Sequence, residues 1–163
     1  LKVTILLVFF VGVTFAQFTY TSRNQDFMLQ WKPNSENVTF SMAAKTTGYV
    51  SFGWGDVGDP AHINTIMYLG AVSGGAATMT NGWSIALTRP FDTISDYEAV
   101  SGTTMGAFSV VTFTRPLKGP AGTSRNKDIS NKKVLLQWAY SSSPSFSSMH
   151  NQAGSDFVNL LTG

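Results

Sequence analysis

Apolar and polar residues alternate along most of this chain in short runs separated by turn residues. Phe27, Leu29 and Trp31 fall on one face of an extended run from Phe27 to Lys32, and Val38, Phe40 and Met42 repeat the pattern after Pro33-Asn34-Ser35. Tyr49 to Trp54, opened by Gly48, reads as a third strand. Thr65 to Val72 is a fourth, apolar enough to be buried on both faces. Weaker strands are expected at Ala77–Thr80 and Trp83–Leu87, then stronger ones at Tyr97–Ser101, Phe108–Arg115, Val134–Tyr140 and Phe157–Leu161. Ser73–Ala76 and Ser141–Ser148 carry loop composition, and Gly119-Pro120 opens a polar loop that runs to Lys133. Beyond the first sixteen positions nothing sustains a 3.6-residue apolar period over three turns. Strand-length runs rich in aromatic and β-branched residues, punctuated at short intervals, predict an all-β sandwich or barrel.

The first sixteen residues break this pattern. Lys2 precedes an apolar stretch from Ile5 to Val13, and Ala16 offers a small residue before Gln17. A membrane span needs about 20 apolar residues, so the segment reads as a secretory signal peptide, 1–16. Residues 17–163 then form one domain on the usual length of roughly 100–200 residues. The expected product is secreted. The chain does not start with Met, so the reading includes a fragment of a longer protein, tethered to a membrane if it continues past residue 163. Asn37-Val38-Thr39 is an N-glycosylation sequon at the start of a strand.

Composition removes several chemistries. There is no Cys, which excludes thiolate ligands, Cys nucleophiles and all-Cys iron–sulfur clusters. The net charge is +2. Basic residues are scattered apart from Arg125–Lys133, so no nucleic-acid surface is expected. No G-x-S-x-G elbow, phosphate loop or defensible metal spacing occurs. Asp56 and Asp59 lie near His62 in sequence but have no further obvious ligand beside them.

His62 and His150 are the only imidazoles, both in loops beside strands. A loop histidine is in most proteins simply solvated. Two of them in an aromatic-rich, sparsely charged chain also suit a six-coordinate haem, which takes one protein ligand on each face.

Several segments, in order, resemble one family. Phe27-Met-Leu-Gln-Trp31, Val38-Thr-Phe40 and Thr47-Gly-Tyr-Val-Ser-Phe-Gly-Trp-Gly55 are similar to the opening strands of DOMON domains. Val111-Thr-Phe-Thr-Arg-Pro-Leu117, with Asp128 following, resembles the F-x-R-P-L strand end. Leu136-Gln-Trp-Ala-Tyr140 resembles the W-A-Y strand, and His150 with Gly154 the closing segment. The resemblance spans roughly Phe18 to Gly163 and implies an immunoglobulin-like antiparallel β-sandwich. In the family's b-type cytochrome branch it implies haem b in a pocket at one end, ligated by a loop Met and a C-terminal His. His150 fits the second position. His62 stands at the first, where those members carry Met. Met67 lies within the following strand, an odd number of residues away, and is expected on the opposite side.

The resemblance therefore implies one of two things. His62 and His150 ligate the iron, leaving no open coordination site and favouring electron transfer; otherwise the domain is a non-redox binding or adhesion module for a sugar or catechol-type ligand. Either is more a redox or binding module than an enzyme by itself. The expected pocket walls are Phe52, Trp54, Met67 and Trp138, with Arg115 near a haem propionate or merely a surface residue at a strand end. The implied partner is a redox protein, or a membrane cytochrome domain downstream if the chain is a fragment.

Overall fold

The computed structural model describes residues 17–60, 63–84, 92–119 and 127–163. The expected signal peptide lies outside them. The described residues form eleven strands: β1 Phe18–Thr21, β2 Phe27–Pro33, β3 Asn37–Ala44, β4 Tyr49–Asp56, β5 Thr65–Ser73, β6 Ala76–Ser84, β7 Asp92–Thr93, β8 Glu98–Met105, β9 Phe108–Pro116, β10 Lys133–Tyr140 and β11 Gln152–Asn159. They pair antiparallel into two sheets, β1-β2-β3-β9-β8 and β11-β10-β4-β5-β6-β7. The expected β-sandwich is thus the fold found.

Period two decides which side chains meet between the sheets. Phe27, Leu29 and Trp31 of β2, Val38, Phe40 and Met42 of β3, and Val111 and Phe113 of β9 face Val50, Phe52 and Trp54 of β4, Ile66 and Tyr68 of β5, and Leu136 and Trp138 of β10. Close approach is tightest where glycine replaces a side chain. A Cβ on Gly154 of β11 would sit 2.5 Å from the Trp138 ring.

β4 and β5 are buried on both faces, apart from their last residues. Their outer face carries a second, smaller apolar group of Tyr49, Met67, Leu69 and Ala71, with Phe146 packed on it. Phe146 comes from the loop 141–151 between β10 and β11. The six-stranded sheet therefore has a cover of loop on the side away from the sandwich core.

The structure differs from the sequence reading in five elements, among them β8, which runs on to Met105 where an end at Ser101 was expected. β6 is continuous through Asn81-Gly82 where two strands were expected, and β11 begins at Gln152 rather than Phe157. β1 and β7 were not foreseen.

Candidate functional site

The outer face of the six-stranded sheet has an unusually bare floor. Met67 is paired in register with Gly53 on one side and Gly82 on the other, and Gln137 of β10 pairs with Gly53. A Cβ on Gly53 would come 2.5 Å from the Met67 sulfur, so the thioether lies across the space that the glycine leaves open. Ser51 and Ala139 extend the row of small residues, and the Ser51 hydroxyl is tied to the Ala139 carbonyl at 3.0 Å.

The loop 141–151 is strapped over this floor. The backbone N–H of Tyr49 donates to the Ser143 carbonyl (3.1 Å), and the N–H of Ser141 donates to the Tyr49 carbonyl (3.0 Å). The Tyr49 hydroxyl donates to the Ser148 carbonyl at 3.1 Å, and the Tyr49 and Phe146 rings meet edge-on at 6.3 Å. Gly48 makes the crossing possible, because a Cβ there would strike the backbone of Ser142 and Ser143 at 2.5 Å. His150 ends this loop and is exposed.

His62 lies outside the described residues. Its neighbours Pro60 and Ile63 are joined by a 3.1 Å hydrogen bond from the Ile63 N–H. The loop they belong to follows the C-terminal end of β4, whereas the loop bearing His150 starts where β10 meets the N-terminal end of β4. At about 3.3 Å per residue the two ends of β4 stand roughly 23 Å apart. Loops that stayed at their own ends would not bring two imidazoles to one metal. The loop 141–151 also ends where it began: the Asn151 N–H donates to the Tyr140 carbonyl at 2.8 Å and Gln152 pairs with Tyr140, so His150 stands at the N-terminal end of β4.

The other residues expected around a pocket are placed elsewhere. Phe52, Trp54 and Trp138 face the opposite way from Met67, into the sandwich core. Phe52 stacks on Tyr68 at 5.6 Å, Trp54 on Tyr68 at 5.7 Å, and Trp138 on Phe27 at 5.0 Å. The Trp138 indole donates to the Tyr20 hydroxyl at 3.1 Å. They cannot share one wall with Met67, because alternation sends them through the other side of the sheet.

Arg115 corrects the surface reading outright: its side chain is 0% exposed. Its Nη2 lies 3.3 Å from Asp96 Oδ2, its Nη1 donates to the Lys127 carbonyl at 3.2 Å, and its guanidinium carbon stands 5.3 Å from the Trp54 ring centroid. Asp96 also accepts from the Tyr68 hydroxyl (2.9 Å) and the Asn81 amide (2.5 Å). Burial pushes the Tyr68 phenol well above its ordinary range, so it remains a donor. Sequence reasoning missed this network. The available signal was parity, since Arg115 shares its face with Val111 and Phe113.

Asp56 and Asp59, weighed as metal ligands, bind cations of the chain itself. Lys127 contacts Asp56 at 2.5 Å and Asp59 at 3.8 Å, and Lys132 contacts Asp56 at 2.7 Å. Among the described residues no group of three potential metal ligands comes together.

Hydrogen bonds from Lys127 and then Lys132 hold the Asp56 carboxyl below its ordinary value of 3.8. A depressed carboxylate stabilises the fold above its unfolded-state pKa and loses that contribution as pH falls through the folded value. Asp56 is 48% exposed, so screening limits the pairs to about 0.2–1 kcal/mol. Denaturant titrations of Asp56→Asn and the parent chain are therefore expected to differ by that amount at pH 7 and to converge as pH drops below 3.8. A gap that persists undiminished in acid would mean the pairs contribute nothing.

Residues 23–141 match the family model described as the DOMON domain. No curated protein sequence matches the chain. Among the solved structures similar to it are two cytochrome domains. One is the cytochrome b domain of pyranose dehydrogenase from Coprinopsis cinerea, with TM-score 0.66 and 14% identity, covering 86% of this chain and 80% of that one. The other is the cytochrome domain of Myriococcum thermophilum cellobiose dehydrogenase, with TM-score 0.66 and 12% identity, covering 88% and 82%.

Proposed function

Given that the chain belongs to the DOMON domain family, we propose that it binds a b-type haem on the outer face of its six-stranded sheet and passes single electrons to a partner. The observation that carries this is the glycine floor around Met67, lying under a loop that ends in one of the only two imidazoles in the chain. The cytochrome domains of similar fold support the same reading.

The residues fit the group. Gly53, Gly82, Ser51 and Ala139 add little side chain around Met67 and Gln137, and Leu69, Tyr49 and Phe146 supply apolar walls. His150 would hold the iron from the loop that ends at β11, with His62 as the second ligand on the sequence reading and Met67 of the floor as its rival. When bound, haem supplies a one-electron ferric–ferrous couple. Protein ligands from both histidine loops would leave the iron no position for oxygen or peroxide. The domain is on this reading a redox module and not a standalone enzyme. Secretion through the 1–16 leader, a glycan on Asn37 (which opens β3 and is partly exposed) and a one-electron redox protein or a membrane cytochrome domain as partner belong to the same proposal.

The visible spectrum of the chain produced with haem tests it. A sharp Soret band, with α and β bands on reduction, is the expected result. His150→Ala and His62→Ala should each leave a five-coordinate or haem-free protein. Loss of six-coordination in Met67→Leu but not in His62→Ala would move the second ligand to Met67. A folded, colourless chain would overturn haem binding and leave the same floor to a non-redox sugar or catechol-type ligand.

A further inference from the structure

Inside the sandwich, three nitrogen donors are left over by the protein's own hydrogen bonding. Trp54 Nε1, Arg115 Nε and Arg115 Nη2 are buried and have no hydrogen-bond partner among the described residues. Nη2 is at ion-pair distance from Asp96, 3.3 Å, but is not aligned with it as a hydrogen bond. Buried donors without an acceptor are rare in folded proteins and strongly unfavourable when charged. Trp54 comes from β4 of one sheet and Arg115 from β9 of the other, and the guanidinium carbon stands 5.3 Å from the indole ring centroid. The orphaned groups of the two residues thus belong to one small region between the sheets.

We propose that this region is a binding site for a single internal water molecule, which accepts from the Trp54 indole and the Arg115 guanidinium and so joins the two sheets. Asp96 Oδ2 borders the site beside the three donors, 3.3 Å from Arg115 Nη2, so the occupant must accept hydrogen bonds and can return one to that carboxylate. Asp96 already balances the charge of Arg115, and a second anion would sit beside that carboxylate in a medium where like charges repel strongly. A neutral acceptor is therefore favoured over a halide. Close packing of Phe52, Trp54, Tyr68 and Phe113, with ring centroids 4.8–6.1 Å apart, leaves room only for something very small. Internal waters with about three polar partners are ordinary components of domains of this size. The site is independent of the outer face, and it holds whether or not haem binds there.

The test uses the full chain. A dipolar cross-peak between the Trp54 indole proton and water, with the sign of long residence, is expected in rotating-frame NMR. Oxygen-17 relaxation dispersion should count one fewer long-lived water in Trp54→Phe than in the parent, with an unchanged far-ultraviolet spectrum. An equal count in both proteins, or no cross-peak, overturns the proposal. So does an anomalous peak between Trp54 and Arg115 in crystals soaked in bromide, which would make the occupant an anion. If Trp54→Phe does not fold, the cross-peak in the parent chain decides alone.

Discussion

Arg115→Ala is expected to lower the unfolding free energy by about 3–5 kcal/mol, the range for removing one member of a buried ion pair. The guanidinium is fully buried, and its loss leaves Asp96 inside the sandwich with Tyr68 and Asn81 as its neutral partners among the described residues. The Lys127 carbonyl loses its donor as well, which loosens the segment that precedes β10. Urea unfolding followed by tryptophan fluorescence measures the effect. The double variant Arg115→Met/Asp96→Leu should recover part of the loss, because it removes both charges. Recovery stays incomplete because Tyr68 and Asn81 then have no acceptor. A loss below 1 kcal/mol for Arg115→Ala would show that water reaches the pair and that the interior is not as closed as the packing indicates.

Phe113→Ala should cost about as much, roughly 3–5 kcal/mol, for a different reason. The Phe113 ring stacks on Tyr68 at 4.8 Å, touches Phe40 at 5.6 Å and Phe52 at 5.9 Å, and meets the edge of Tyr97 at 6.3 Å. Rings on both sheets would line the resulting cavity, and two paired sheets cannot close around it. Phe113→Leu should lose markedly less. Phe113 and Arg115 both act on Tyr68, one by stacking and one through Asp96. Their combined variant is therefore expected to deviate from the sum of the two losses, and strict additivity would separate the aromatic stack from the polar network. Thermal and urea unfolding of the four proteins measure both quantities.

The strands that carry the core were legible because burial on one face or both writes itself into the residue pattern. β2, β3, β4, β5, β9 and β10 all lie within a residue or two of their expected spans. Where that pressure is missing, the reading fails. β11 is an edge strand with mostly exposed side chains and a polar Gly-Ser-Asp centre, so no alternation marks its start. β1 and β7 are too short to show a period. The break assumed within β6 falls at Asn81-Gly82, a pair that usually signals a hairpin turn. Here Asn81 is drawn inward by Asp96 and the N–H of Ser95, and Gly82 makes room beside Met67. Tertiary partners override the turn preference.

The site was less legible for a related reason. Alternation separates Met67 from Phe52 and Trp54, but it does not say which face a loop will cover. Aromatic residues drew attention to the inner face, whereas the distinguishing mark of the outer face is a scarcity of side chains: Gly53, Gly82, Ser51 and Ala139. That scarcity becomes visible only when register places Gly53 and Gly82 on either side of Met67. Arg115 and Asp96 are likewise paired by the crossing of strands and not by spacing in the chain.

The loop 141–151 touches the sheet through one ring, Phe146, and otherwise through backbone carbonyls and the Tyr49 hydroxyl. The serines around it bond within the loop instead, Ser148 to the Ser143 hydroxyl at 2.8 Å and Ser141 to the Met149 carbonyl at 3.1 Å, and so fix its shape. The covering of the outer face and the sandwich beneath it thus answer to separate sets of residues, joined mainly at Tyr49.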